Sequence, residues 1–312
     1  MGFEHTSVMP QEVHEHQNLK PGKICVDCTL GGAGHALATV KAILPSGKLI
    51  GIDQDRDAVT HARKKLAPYA DNVQIFHNNF SELPAILQSI GTPQVDAIVL
   101  DLGFSLHQLT QGKRGFSFNK NEPLDMRMDI RHTVTASDIV NTYEEKALAN
   151  IFFRYGEEKF SRRIAGKIVA ARIEAPIKTS QDLVRIVESA IPAKAQRTQK
   201  IHPATRTFQA LRIEVNQELS RLEAFMEEVP NMLAKGGRFC AISFHSLEDR
   251  IVKRALRSFE QGCTCPRELP QCLCGFVPRM KSVFRKPLIA SREETRANPM
   301  ARSAKLRVAE RL

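Results

Sequence analysis

Three aspartates each close a short apolar run. Asp27 follows Ile24-Cys25-Val26, Asp53 follows Leu49-Ile50-Gly51-Ile52, and Asp101 follows Ala97-Ile98-Val99-Leu100. Between the first two lies a glycine-rich stretch, Thr29-Leu30-Gly31-Gly32-Ala33-Gly34-His35. Glycines let a backbone approach a ligand closely, with no side chain in the way. A carboxylate about 20 residues beyond such a loop, at the end of a second strand, can accept both hydroxyl protons of a ribose. The combination points to a ligand that carries a nucleoside.

The details narrow the ligand. A dinucleotide fingerprint needs a third small residue three positions after Gly34, and Leu37 stands there. No G-x-x-x-x-G-K-[ST] occurs, which excludes a phosphate-cradling loop of that type. Asp27 places a carboxylate beside the loop, where it repels phosphate but tolerates a sulfonium and an amino group. The expected cofactor is S-adenosylmethionine, and the expected chemistry is methyl transfer.

Asp101 then falls where an acceptor meets the methyl group. Methyl transfer is an in-line displacement, so the protein must align the nucleophile and handle its proton. An exocyclic base amine is a poor nucleophile, and a carboxylate hydrogen-bonded to it assists proton loss. Asp101 can serve in that way, or it can bind the cofactor alone. Methylation at a pyrimidine carbon needs a cysteine nucleophile. No cysteine lies near this strand end, which favours nitrogen or oxygen as acceptor. Phe104, Phe116 and Phe118 are candidates either to stack on a base or to pack. Ser243-Phe244-His245-Ser246-Leu247-Glu248-Asp249 reads either as a substrate-positioning loop or as a helix start with Ser246 as N-cap and two acids in the first turn. Cys263, Cys265, Cys272 and Cys274 form a C-x-C-x6-C-x-C cluster. Metal sites usually use C-x2-C pairs, so no metal is assigned here.

The elements that must position these groups alternate. Strands are expected at Ile24–Cys28, Leu49–Ile52, Val73–Phe76, Val95–Leu100 and Phe239–Ser243, with a late strand at Ser303–Ala309. Helices are expected between the first four, one of them reaching Ile43. Such alternation argues for a parallel, doubly wound α/β sheet, with ligands beyond the carboxyl ends of its strands. After Gly103 the pattern turns helical: Ala136 to about Ser189, broken at Gly156 and near Pro176, then one long helix from Thr205 to Glu228. The domain reading is therefore residues 1–110 as the first part of the sheet domain, 111–204 as an all-helical insertion, and 205–312 as the second part.

Bulk properties agree with a protein that meets a polyanion. In 312 residues the net charge is +11. The excess is concentrated: Arg154 to Arg206 holds 12 Lys/Arg against 5 Asp/Glu, and Arg250 to Leu312 holds 15 against 5. Localised positive charge favours a nucleic-acid surface over an evenly solvated one. No apolar run approaches the roughly 18 residues of a membrane span. Met1 to Val13 lacks the pattern of a secretory signal, so a cytoplasmic location and no membrane partner are expected.

Longer blocks carry a family resemblance. They are His5-Thr6-Ser7-Val8-Met9, the Thr29–His35 loop, Leu100-Asp101-Leu102-Gly103, Arg114-Gly115-Phe116-Ser117-Phe118, and Pro123-Leu124-Asp125-Met126-Arg127-Met128-Asp129. They continue with Tyr155-Gly156-Glu157-Glu158, His202 to Ile213, Ser243 to Lys253, and Asn298-Pro299-Met300-Ala301-Arg302-Ser303. Across nearly the whole chain the sequence resembles the RsmH (MraW) family, the bacterial small-subunit ribosomal RNA cytosine-N4 methyltransferases. The resemblance implies a Rossmann-like methyltransferase sheet, with 16S rRNA or the small ribosomal subunit as partner. It implies a cytidine N4 at the decoding centre, near the P site, as acceptor. It implies cofactor contacts at Ala33, Gly34, His35, Asp53, Phe80, Asp101 and Gln108, and RNA recognition by the insertion. One departure stands out. The family's Val-Ser-Ser after the glycine is here Phe104-Ser105-Leu106, which changes the shape of the presumed acceptor pocket.

Overall fold

The structure is a computed structural model that describes residues 7–103, 113–262, 265 and 274–312. The chain divides into two compact units, residues 1–103 with 219–312, and residues 104–218.

In the first unit the apolar runs become strands: β1 (Ile24–Asp27), β2 (Lys48–Asp53), β3 (Val73–His77), β4 (Val95–Asp101), β5 (Leu233–Ser243), β6 (Met280–Ser282), β7 (Leu288–Ile289) and β8 (Lys305–Arg311). Their order in the sheet is β3-β2-β1-β4-β5-β8-β6, with β7 also paired to β8. The first five are parallel, and β8 runs antiparallel to β5. Alternate residues of one strand enter different cores. Ile98 and Leu100 join Phe225, Val229 and Phe239 on one face. On the other face Val99 joins Cys240 and Leu306, and Ala97 joins Val40 and Ile43. Both faces are covered, which is why the runs lack the apolar–polar alternation of a half-exposed sheet. The strand order reverses at β1, so the crevice between the carboxyl ends of β1 and β4 is the position where such sheets bind ligands.

The second unit is helical. Among the described residues its helices are Ala136–Thr142, Glu145–Gly156, Ser161–Glu174, Ser180–Ala190, Ala193–Thr198 and Thr205–Asn216. Its core includes Phe152, Ile164, Leu183, Phe208 and Leu211. Two helices start at capping boxes: Thr135 exchanges hydrogen bonds with Asp138, and Thr179 with Asp182. Each box satisfies two backbone donors that a helix start otherwise leaves open.

Two expectations need correction here. The long helix expected from Thr205 to Glu228 is two helices, Thr205–Asn216 and Glu218–Met232. They part at Gln217, whose φ of 52° is left-handed. The 3.6-residue apolar pattern runs through the break because it serves two cores. Leu211 and Val215 pack in the helical unit, Leu222 and Met226 beneath the sheet. The helix Thr205–Asn216 accordingly belongs to the compact helical unit, which extends to Glu218. The fifth strand starts at Leu233, six residues earlier than read, and Gly236-Gly237 lies inside it.

Candidate cofactor and methyl-acceptor site

The carboxyl ends of β1, β2 and β4 carry the three aspartates. Asp27 is 2% exposed. Its Oδ1 accepts the Thr29 N–H at 3.2 Å, while Oδ2 has no hydrogen-bond partner among the described residues. Burial pushes its carboxyl up to about 7, and the nearby Asp53 adds to the rise. Asp53 closes β2. Its Oδ2 accepts the Gly31 N–H and its Oδ1 the Asp55 N–H, both at 2.8 Å. Burial still pushes it up, to about 6. Each of these oxygens keeps a second acceptor position for a ligand hydroxyl.

Asp101 ends β4, with its side chain 11% exposed. Its own N–H donates to Thr29 Oγ1 at 2.8 Å, which ties the end of β4 to the loop after β1. Its Oδ1 is buried without a hydrogen-bond partner among the described residues, and its Oδ2 lies 3.7 Å from His35 Nε2. Burial lifts this carboxyl well above the usual carboxylate range, and the charges of Asp27 and Glu248 lift it further.

The loop from Thr29 to Gly34 is held in an uncommon backbone shape. Gly31 has φ 46° and Ala33 φ 53°. A non-glycine residue in the left-handed region carries a cost of roughly 1–2 kcal/mol, and such residues cluster at functional sites. Ala33 precedes the helix Gly34–Ile43, and His35 is buried in its first turn. Lys65 Nζ donates to the Gly32 carbonyl at 2.6 Å. Ser7 lies so close to Gly34 that a Cβ there would collide with the serine hydroxyl.

Phe80 follows β3 and is 9% exposed, edge-on to Phe225 with ring centroids 5.3 Å apart. Asn79 fixes that turn by accepting the Ser81 N–H at 3.0 Å and donating to Gln54 Oε1 at 2.8 Å. The structure thus sets Ala33, Gly34, His35, Asp53, Phe80 and Asp101 on the loops and strand ends of one sheet edge. Gln108, Phe104 and Leu106 lie outside the described residues, as do Cys263 and Cys272 of the cysteine cluster. Phe116 and Phe118 pack within the helical unit. Phe118 stacks on His202 at 4.6 Å and meets Phe208 edge-on.

The segment after β5 is a helix start, as one of its two readings had it. The N-cap is His245 where Ser246 was expected, with Glu248 completing a capping box on the helix Ser246–Gln261. Asp249 binds Arg307 Nε at 2.7 Å and Lys305 Nζ at 3.2 Å, anchoring the helix to β8. Lys65 carries no signal in the sequence, and Thr29 and Ser7 stand there only within longer blocks; their contacts with Asp101 and Gly34 come from the fold.

The chemistry of this donor set is that of a cation binder. Three carboxylates lie at one edge, each held above the usual carboxylate range by burial. Two of them, Asp27 and Asp101, have an oxygen without a hydrogen-bond partner among the described residues. A phosphate there would face added negative charge; a sulfonium or ammonium group would relieve it. The thiols of Cys25, Cys28 and Cys240 are all pushed up by burial, Cys25 and Cys240 to about 12. None of them is a thiolate nucleophile at neutral pH.

Comparison with known proteins agrees with this chemistry. Residues 2–312 match the MraW methylase family. The chain belongs to that family. Its relatives include three proteins named ribosomal RNA small subunit methyltransferase H. That of Desulforapulum autotrophicum is 61% identical over 312 residues, covering all of both chains. That of Desulfosudis oleivorans is 50% identical with the same coverage. That of Geobacter sp. is 51% identical over 310 residues, 99% of each chain. S-adenosylmethionine is the cofactor, and the buried acidic edge with its glycine loop fits it. No helix among the described residues is long and apolar enough to cross a membrane.

Proposed function

We propose that this protein transfers the methyl group of S-adenosylmethionine to the exocyclic N4 of a cytidine in 16S rRNA, at the decoding centre of the small subunit near the P site. The observation that carries the nitrogen acceptor is Asp101. It is a buried carboxylate of raised proton affinity, at the switch point of the sheet, with one oxygen that has no hydrogen-bond partner among the described residues. The names of the full-length relatives support small-subunit rRNA as the substrate class.

The bound cofactor supplies an electrophilic methyl group. Asp53 accepts the ribose hydroxyls, and Ala33, Gly34 and His35 line the approach of the ligand with backbone and a buried imidazole. Phe80 would form the apolar wall at the end of β3, and the family resemblance adds Gln108 to the cofactor contacts. Asp101 accepts a hydrogen bond from the N4 amine, which raises electron density on nitrogen. Asp101 would take the proton that the amine must lose when the N–C bond replaces the sulfonium S–C bond and the thioether leaves. A carboxyl lifted above the usual carboxylate range is better matched to that transfer than an ordinary aspartate. The helical unit, rich in Lys and Arg, takes part in recognising the RNA. The reaction belongs in the cytoplasm, where ribosomal subunits are assembled.

The test is to incubate purified small subunits lacking the modification with methyl-labelled cofactor, digest the RNA to nucleosides and identify the product by mass spectrometry. N4-methylcytidine at a single position is expected. Label confined to DNA or protein, or a methyl group on ring carbon, would remove this reading.

A further inference from the structure

Phe244 is the first residue beyond β5, and it stands at the same sheet edge as Asp101. The two strands are paired there: Asp101 lies opposite Ile242, and the Leu102 N–H donates to the Ile242 carbonyl at 3.0 Å. The Phe244 ring lies along the backbone of Gly103, two residues past Asp101. A Cβ on Gly103 would stand 3.2 Å from Phe244 Cδ2, and the φ of 101° there suits glycine alone. The chain leaving β4 therefore carries no side chain at the point where the ring lies. Phe244 is half-buried: it packs in part against the apolar cluster of Val99, Ile242 and Leu306, and the rest of it stays accessible at the sheet edge that carries Asp101.

Its backbone is held firmly. Glu248 is 2% exposed, and its Oε2 accepts the N–H of Phe244 at 2.8 Å and that of His245 at 3.2 Å. Its other oxygen lies 3.1 Å from His245 Nε2. The acid of a capping box ordinarily takes the N-cap amide. This one also takes the amide before it, which is the amide of Phe244. These contacts account for the burial of the Glu248 carboxyl.

We propose that the Phe244 ring is the surface against which the acceptor base stacks, and that Glu248 is the positioning residue that fixes it there. The inference rests on the nucleic-acid reading above and deepens it. A base pulled from its own stack needs an aromatic partner, and a π-face serves any base while the carboxylate beside it selects the amine. Glu248 also adds to the raised proton affinity of Asp101, so one side chain places the platform and adjusts the proton acceptor.

The experiment uses the full-length protein and small subunits as substrate. Phe244→Leu keeps an apolar side chain but loses the π-face. It is expected to raise KM for the subunit about tenfold or more, with Kd for S-adenosylmethionine within twofold and a melting temperature only modestly lowered by the packing lost from its apolar cluster. Phe244→Tyr is expected to stay near the wild type. Glu248→Gln, which can still accept a backbone N–H, should raise KM less than Glu248→Ala. It should also move the acidic limb of the kcat profile to lower pH. A KM within twofold of wild type for Phe244→Leu overturns the proposal. So does a loss of cofactor binding as large as the change in KM. Wild-type protein that methylates no RNA removes the functional reading itself, an outcome distinct from an active wild type with an indifferent Phe244→Leu.

Discussion

The Asp101 amide and the Thr29 hydroxyl are joined across 72 residues of sequence by a hydrogen bond of 2.8 Å. The bond crosses from the end of β4 to the cofactor loop, so the acceptor carboxylate and the glycine turn are held as one piece. Thr29→Val keeps the shape and removes the acceptor. Leaving a buried amide unsatisfied costs roughly 1–3 kcal/mol. The expected result is a lower kcat and a weaker cofactor affinity together, with Thr29→Ser close to wild type. Methyl-transfer kinetics and calorimetric titration of the cofactor check both parts. Equal behaviour of the valine and serine variants would show that the bond does not matter.

Asp101→Asn separates proton acceptance from cofactor binding. The amide is nearly isosteric but cannot take a proton. If Asp101 accepts the amine proton, kcat at saturating cofactor falls by about 10²–10⁴, the usual share of a general base. Kd for S-adenosylmethionine rises far less. A fall in affinity that accounts for the whole loss of activity would leave Asp101 as a cofactor contact alone.

Much of this site could be read before the fold was known, because each aspartate closes an apolar run and the runs alternate with helices. Asp27, Asp53 and Asp101 needed only that pattern. What could not be read depends on partners distant in sequence. Thr29 is an ordinary loop threonine until the β1–β4 pairing brings the Asp101 amide to it. Glu248 looks like one acid in a helix's first turn until Phe244 and His245 are seen to share its carboxylate. The break at Gln217 was hidden for a different reason. The apolar period continues across it, since a pattern records which residues are buried and not which core they enter.

The raised carboxyls predict a pH dependence with a definite sign. Asp53 and Asp27 sit at about 6 and about 7 in the folded protein, against an ordinary value near 4. The folded state without cofactor therefore holds more protons than the unfolded chain across that interval. Its stability is greatest below about pH 4 for these two groups, and is lost as pH rises through 6 to 7. Other groups act on top of this, so the check is a difference. Urea titrations of wild type and Asp27→Asn between pH 4.5 and 7.5 should diverge, with the wild type losing more stability as pH rises.

Cofactor binding runs the other way. A cation is attracted to the ionised carboxylates, so affinity for S-adenosylmethionine should climb as pH rises from about 5.5 to 7.5 and then level off. Binding below the plateau should release protons. Titration calorimetry in two buffers of different ionisation enthalpy measures that release directly. A Kd that stays flat across the interval, with no proton release, would show that these carboxylates do not face the cofactor's charge.

Ser7 and Gly34 supply the last prediction. A Cβ on Gly34 would collide with the Ser7 hydroxyl and stand 3.1 Å from the serine Cβ. Ser7 has little room to withdraw. The next residues, Val8 and Met9, are buried, and the Met9 N–H donates to Glu294 Oε1 at 2.6 Å. Gly34 opens the helix whose first turn holds His35, so displacement there moves the imidazole beside Asp101. Gly34→Ala should weaken cofactor binding and lower the melting temperature. Ser7→Gly alone should do little, and the double variant should recover most of the loss. Residues in direct contact typically couple by about 0.5–3 kcal/mol in such a cycle. Additive effects of the two substitutions would mean that Gly34 is required for its approach to the ligand and not for the serine packed against it.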